Sequence, residues 1–136
     1  HADQAARVIP EIKNSGISVV LSPLGISDPV EYLETPARLS KAGVSFSFAS
    51  DAPLTGESYL RLSAALAMRY GLSRESALQA LTLSAAEILG VSDEVGSIEP
   101  GKLADLVVFD GDPLGLSSDV LLVMVGGRVV YQRDKK

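Results

Sequence analysis

The stretch VSFSFASDAP, at residues 44–53, is the most informative part of the chain. Its apolar residues predict a buried strand over Val44–Ala49, and the proline at position 53 marks where that strand has ended. Asp51 is therefore expected at the carboxyl end of a strand, where α/β barrels carry their reactive groups. Because a buried charge is costly unless it is paired, a metal ion is one natural partner for this carboxylate. The alternative is an aspartate that caps the turn before Pro53 or the helix that follows.

The sequence before this stretch predicts alternating helices and strands. Apolar spacing predicts a helix over residues 3–14, and a near-continuous apolar run predicts a buried strand over Ile17–Leu21. Residues 24–35 are expected to form a long loop. A short helix is then expected to begin at Thr35-Pro36 and to end at Gly43.

Strands separated by helices are typical of parallel βα units, so the expected fold class is α/β. Two parallel strands cannot bury both of their faces alone, so we expect further strands from elsewhere. They could come from preceding sequence or from another copy of the chain, which makes a homo-oligomer one expectation. His1 is the only histidine. A chain that opens on a candidate ligand resembles the last part of a longer protein.

The second half of the chain changes from helices to strands. Helices are predicted over Ser58–Tyr70, from Ser73 to about Leu81 and over Ser84–Leu89. Strands are predicted over Leu103–Phe109, Val120–Val125 and Arg128–Gln132. The pair Gly126-Gly127 between the last two strands predicts a β-hairpin.

The composition excludes several classes of function. The chain has 136 residues and a formal net charge of −5, which argues against nucleic acid or an anionic membrane as a partner. Its longest apolar runs are about eight residues by inspection, far below the roughly 20 that cross a bilayer. The absence of cysteine excludes disulfides and thiolate sites, and it favours a cytoplasmic location.

Four segments resemble the C-terminal part of the metal-dependent amidohydrolase superfamily, and the imidazolonepropionases in particular. They are the Ser-Asp-Ala-Pro turn at 50–53, GLSRESALQALTLSAAEILGV at 71–91, VGSIEPGKLADLVVFDGDP at 95–113 and VLLVMVGGRVVYQRD at 120–134. The resemblance implies a (β/α)8 barrel that carries the active site, together with a small β-sandwich domain. Residues 1–90 are then expected to be the C-terminal part of the barrel, and residues 91–136 part of the sandwich. Ile17–Leu21 and Val44–Ala49 would be barrel strands seven and eight.

The resemblance also implies roles for two residues. Asp51 matches the aspartate of strand eight, which ligates the metal and acts as the base toward the water that the metal activates. His1 has the spacing of a metal-ligand histidine on strand six, although a histidine at this position could equally be the remnant of a tag. The implied cofactor is a divalent metal, with zinc expected first and iron or manganese as alternatives.

Other parts of the family pattern are absent from these 136 residues. The His-x-His pair of strand one, the lysine of strand four and the histidine of strand five have no counterpart. A catalytic zinc site usually takes three protein ligands, and at most His1 and Asp51 are present here. We therefore expect a hydrolase of C–N bonds other than ordinary peptide bonds, active on a small molecule such as a cyclic amide, an amide, or an N-acyl or dipeptide substrate. Its barrel would be completed by a missing N-terminal part or another chain. The alternative is a non-catalytic fragment or assembly partner of a split amidohydrolase.

The remaining polar residues have weaker functional predictions. The serines at positions 22, 47 and 50 could contact substrate at strand ends, but they more often satisfy local backbone groups. Lys102 and Asp105 are expected to be structural, at the entry to a strand. The acidic group of Asp28, Glu31 and Glu34 is expected to form a solvated surface. The alternative is contact with substrate, because the resemblance places this group after strand seven, on the active-site face of the barrel.

Overall fold

The computed structural model describes residues 4–54, 56 and 59–134. A single 3-10 turn at Ala5–Arg7 precedes helix α1 (Ile9–Ser15), strand β1 (Val19–Leu21), helix α2 (Val30–Ala42) and strand β2 (Phe46–Phe48). Helices α3 (Tyr59–Arg69), α4 (Arg74–Leu81) and α5 (Leu83–Leu89) follow. The chain then forms strands β3 (Leu106–Phe109), β4 (Val120–Val125) and β5 (Arg128–Gln132).

Strands β1 and β2 form a two-stranded parallel sheet, which confirms the α/β fold class. Val19 lies opposite Phe46, and Leu21 lies opposite Phe48. All three residues of β2 are buried, as expected for a parallel strand that is covered on both faces. The rings of Phe46 and Phe48 meet edge to face, with their centroids 5.8 Å apart. Helices α2, α3, α4 and α5 contact β2, and together they enclose the hydrophobic core.

Residues 24–29 form a loop as predicted, but α2 begins at Val30, so the predicted helix start at Thr35-Pro36 is wrong. Proline inside a helix removes a hydrogen bond and costs about 3 kcal/mol, which is why the sequence favoured a later start. Pro36 is nevertheless fully buried, as are Leu33 and Leu39. Burial of each such apolar side chain contributes roughly 1.5–3 kcal/mol, enough to offset the proline. The end of the helix before Gly43 is as predicted.

The predicted first helix is divided in the structure. Helix α1 begins at Ile9 and has Pro10 in its first turn, where a missing N–H group does no harm. Helix α4 starts where the sequence predicts, and Ser73 caps it, because the Ser73 hydroxyl accepts a hydrogen bond from Ser76 N at 3.1 Å. None of the helices within the described ranges combines the length and the apolar character that a bilayer crossing requires.

Strands β3, β4 and β5 form a separate antiparallel sheet in that order. The last two strands are the predicted hairpin, and both have the predicted bounds. Gly126 and Gly127 join them with φ values of 54° and 77°. Two positive φ values in a row are what a tight hairpin turn with the twist of the strands requires.

Candidate functional site

The carboxyl ends of β1 and β2 form one edge of the parallel sheet. The register pairs Leu21 with Phe48, and Ala49 N donates a hydrogen bond to Leu21 O at 2.9 Å. The segments that follow the two strands therefore leave the sheet side by side. This brings Ser22, Ser50 and Asp51 to the same edge, which we call the carboxyl edge.

Asp51 has an unusual backbone conformation at this edge. Its φ is 53°, and it is the one residue other than glycine with a positive φ in the part of the chain that is described. Aspartate tolerates the left-handed region better than most residues, but the conformation is still sparsely populated. Leu54 N donates to Asp51 O at 2.9 Å and closes a turn that exposes Leu54 while Asp51 stays half-buried. Conformations of this kind are concentrated at functional sites.

The segment after β1 is held in place by two side-chain oxygens. Leu24 N donates to the Ser63 hydroxyl at 2.9 Å, and both residues are buried. Gly25 N donates to Asp28 Oδ2 at 2.8 Å, while Asp28 N donates back to Gly25 O at 3.1 Å. The Asp28 carboxylate thus stabilises a local turn and is half-buried, whereas it was expected on a solvated surface. Ser63 was not among the predicted residues, because a single serine in an apolar helix has no sequence pattern of its own.

The other predicted residues have structural positions. Glu31 and Glu34 are exposed on α2, and Ser47 is buried within β2. Asp105 Oδ1 accepts from Gly126 N at 2.6 Å, and Lys102 Nζ lies 2.6 Å from the Ser97 hydroxyl. Asp105 thus holds the turn between β4 and β5, and Lys102 is bonded within the segment that precedes β3.

One carboxylate at the carboxyl edge fits the role of a metal ligand. A half-buried aspartate offers the oxygen donors that zinc, iron and manganese all accept. Across residues 4–54, 56 and 59–134, no three His, Cys, Asp or Glu side chains come together as a metal-binding group. His1, the second expected ligand, lies outside the described residues. Asp51 is therefore a candidate for one metal ligand at this edge.

A second polar cluster connects α3 with the segment between β3 and β4. Arg61 Nε donates to Pro113 O at 2.9 Å, and its Nη2 donates to Ser118 O at 3.1 Å and to the Ser118 hydroxyl at 2.8 Å. Nearby, Arg74 and Asp112 form an exposed ion pair with a 2.9 Å contact. The hydrogen bond from Arg74 lowers the pKa of the Asp112 carboxyl below its ordinary value, and a bond from Leu114 N adds to this.

The comparisons with known proteins agree with the resemblance found in the sequence. A model of the amidohydrolase family matches residues 3–130. The chain is 36% identical over 104 residues to the imidazolonepropionase of Picrophilus torridus, which covers 74% of this chain and 26% of that protein.

Solved structures also show a similarity to amidohydrolases. An amidohydrolase from Thermotoga maritima superposes with a TM-score of 0.89 at 38% identity, over 98% of this chain and 36% of that one. An adenosine deaminase from Xanthomonas campestris with bound zinc superposes with a TM-score of 0.64 at 27% identity, over 90% of this chain and 34% of that one. The chain thus spans about a quarter to a third of the length of these relatives. With its family model matched over nearly the whole sequence, the chain belongs to the amidohydrolase family.

Proposed function

We propose that the intact protein is a metal-dependent hydrolase that cleaves a C–N bond other than an ordinary peptide bond. Its substrate would be a small molecule such as a cyclic amide, an amide, or an N-acyl or dipeptide compound. The observation that carries the proposal is the position of Asp51, a half-buried carboxylate in a left-handed conformation at the carboxyl edge. Membership of the amidohydrolase family supports the reaction class.

Asp51 has two roles in this proposal. It is a metal ligand, and it is the group that takes a proton from the attacking water and returns it to the leaving nitrogen. When bound, a divalent metal at this edge supplies Lewis acidity that makes water a stronger nucleophile at neutral pH. We propose zinc as that metal, with iron or manganese as alternatives, and His1 as a further ligand.

The positions of the two sheets in the sequence support a division of the chain into parts of two domains. We propose that residues 1–90 belong to a (β/α)8 barrel and that residues 91–136 belong to a β-sandwich. The parallel pair β1–β2 lies in the first segment, and the antiparallel sheet lies in the second. Because the chain spans about a third of the Thermotoga structure, the other barrel strands and metal ligands would come from further polypeptide.

Metal content of the intact protein tests the proposal first. We expect about one divalent metal ion per active site in the wild-type protein and a large loss in Asp51→Asn, because the amide is a poor ligand. Asparagine tolerates the left-handed conformation, so the fold should be retained. Asp105→Asn is the matched control, because its amide oxygen can still accept from Gly126 N.

Hydrolysis of a panel of cyclic amides, N-acyl amino acids and dipeptides completes the test. Loss of a general acid–base group typically lowers the rate by about 10²–10⁴-fold, and we expect a loss in this range for Asp51→Asn. Full metal content and activity in Asp51→Asn would overturn the roles assigned to Asp51. A metal-free, inactive wild-type protein would instead favour the alternative, a non-catalytic assembly partner.

A further inference from the structure

The most elaborate polar contact in the described structure lies away from the carboxyl edge, around the side chain of Arg61. The residue occupies the first turn of α3, ten positions after Asp51 in the sequence. Its guanidinium group donates to the carbonyl oxygens of Pro113, Gly115 and Ser118 and to the Ser118 hydroxyl. The same group lies over the ring of Phe109, 4.9 Å from its centroid.

This contact requires arginine. Three backbone carbonyls converge on one planar group, and a lysine ammonium cannot present donors in that fixed geometry. Ser118 strengthens the arrangement, because its hydroxyl accepts from Arg61 and lies 2.7 Å from Gly115 O. The segment is also anchored by Leu114, which is only 2% exposed and belongs to the hydrophobic core. The residues that receive Arg61 are therefore a preformed socket, which we define as residues 112–118.

Helix α3 links this socket to the carboxyl edge in two ways. Two residues after Arg61, the Ser63 hydroxyl holds Leu24 N in the segment that follows β1. Helix α3 also contacts β2, the strand that ends just before Asp51. Helix α3 therefore contacts the socket through Arg61, and it contacts the carboxyl edge through Ser63 and through strand β2.

We propose that Arg61 is a positioning residue, by which the socket at 112–118 fixes the first turn of α3 and so the turn that carries Asp51. Arg61 does not touch the reacting atoms. It acts by restricting the orientation of the Asp51 carboxylate toward the metal and the substrate. The inference rests on the function proposed above, and it adds the antiparallel sheet to the parts of the chain that shape the site.

The nearby ion pair of Arg74 and Asp112 is a useful comparison, because we assign it no positioning role. Both side chains are about half exposed, at 57% and 48%, and one ion pair joins them. Exposed pairs of this kind contribute little, because water screens them. Arg74 is the first residue of α4.

Hydrogen exchange of the intact protein tests the inference without any need for substrate. The decisive amides are Leu24 N, Ala49 N and Leu54 N, which are bonded at the carboxyl edge to Ser63 Oγ, Leu21 O and Asp51 O. In Arg61→Lys we expect exchange at these amides to rise by about tenfold, because local opening becomes easier once the socket is released. Arg69→Ala, an exposed arginine on the same helix, is the control and should leave these amides unchanged.

Zinc affinity gives a second readout that a purely structural role would not change. We expect Arg61→Lys to bind zinc about tenfold more weakly, at the lower end of the range for residues that support metal ligands. With an active substrate, kcat should fall while KM stays near the wild-type value, since the carboxylate and not the substrate pocket is displaced.

Unchanged exchange at Ala49 and Leu54, with faster exchange confined to residues 112–118, would overturn the inference. Failure of the proposed function gives a different result, namely wild-type zinc binding in Asp51→Asn. In that case the exchange at Ala49 and Leu54 still decides whether Arg61 positions the turn. Arg61→Lys retains the positive charge. Ser118→Ala is a second, milder variant, because it removes one acceptor from the socket, and it should also increase the exchange at the carboxyl edge.

Discussion

The two sheets of this molecule are built from similar residues but are stabilised in different ways. Strand β2 has all three residues buried, whereas all five residues of β5 are exposed. Helices of the same chain cover the parallel pair, and nearly all of the core described here comes from that region. From the antiparallel region, only Leu114 joins the core. Apolar composition alone therefore does not say where a chain obtains its stability.

The two regions differ mainly in the kind of interaction that stabilises them. In the parallel region, apolar side chains are removed from water, which is the dominant stabilising term in folding. In the antiparallel region, backbone ladders and the Arg61 socket supply the order, and side chains such as Val130 remain 61% exposed. The predictions below test this contrast.

The largest expected effect is in the core around α2. Leu33 is 1% exposed, and Leu33→Ala removes a large side chain from a close-packed site. We expect a loss of about 2–5 kcal/mol in the free energy of unfolding, measured by urea denaturation of the intact protein. Val130→Ala on β5 should change the same quantity by less than about 0.5 kcal/mol. Equal losses in the two variants would contradict the contrast between the sheets.

The next effect lies where the two regions join. Gly96 has a φ of 96°, and a Cβ atom there would lie 2.6 Å from Ala86 Cβ and 3.1 Å from Leu83 Cα. Gly96→Ala therefore combines backbone strain with overpacking, and we expect a loss of about 2–4 kcal/mol. Gly101 has a similar φ of 95° with open space around it. Gly101→Ala should cost only about 1–2 kcal/mol in the same urea denaturation measurement, and the absence of a difference would show that the close approach is tolerated.

A smaller effect is expected at the carboxyl edge. Ser63→Ala leaves the buried Leu24 N without its acceptor, which typically costs about 1–3 kcal/mol. We expect faster hydrogen exchange in residues 22–25 than in the wild-type protein. Ser27→Ala, an exposed serine in the same segment, is the control. If both variants behave alike, the hydroxyl of Ser63 is not what holds this segment.

The smallest expected effect is on the stability of the protein at low pH. Arg74 lowers the pKa of Asp112 from its ordinary value of 3.8, so the pair stabilises the folded state at every pH above that value. This contribution is lost as pH falls through the lowered pKa, because the carboxyl is then protonated in both states. In denaturation curves, the gap between wild type and Asp112→Asn should therefore be constant above about pH 5 and close below about pH 4. A gap that widens in acid would show that another group is responsible.

Much of the fold follows from local sequence signals. The hairpin at Gly126-Gly127, the cap at Ser73 and the helix ends at Gly43 and Gly90 were predictable, because each depends on residues close in the chain. The start of α2 was not, because burial of Pro36 in the tertiary core outweighs its poor helix propensity.

The candidate site also has some features that the sequence predicts and others that it does not. The position of Asp51 at a strand end follows from a short apolar run and a proline. The contacts of Ser63 and Arg61 join residues 39 and more than 50 positions apart, and no periodicity in the sequence encodes such pairs. The roles of Asp51 and His1 in metal binding remain predictions.

The left-handed backbone at Asp51 also restricts how this position can evolve. Asparagine and glycine adopt that conformation readily, whereas most other residues incur about 1–2 kcal/mol of strain. Glutamate would retain the negative charge, but it would be strained in the left-handed backbone conformation. On backbone grounds, this position therefore accepts asparagine or glycine more readily than a longer acid. Relatives that lack the proposed chemistry should accordingly have asparagine or glycine at this position more often than other residues.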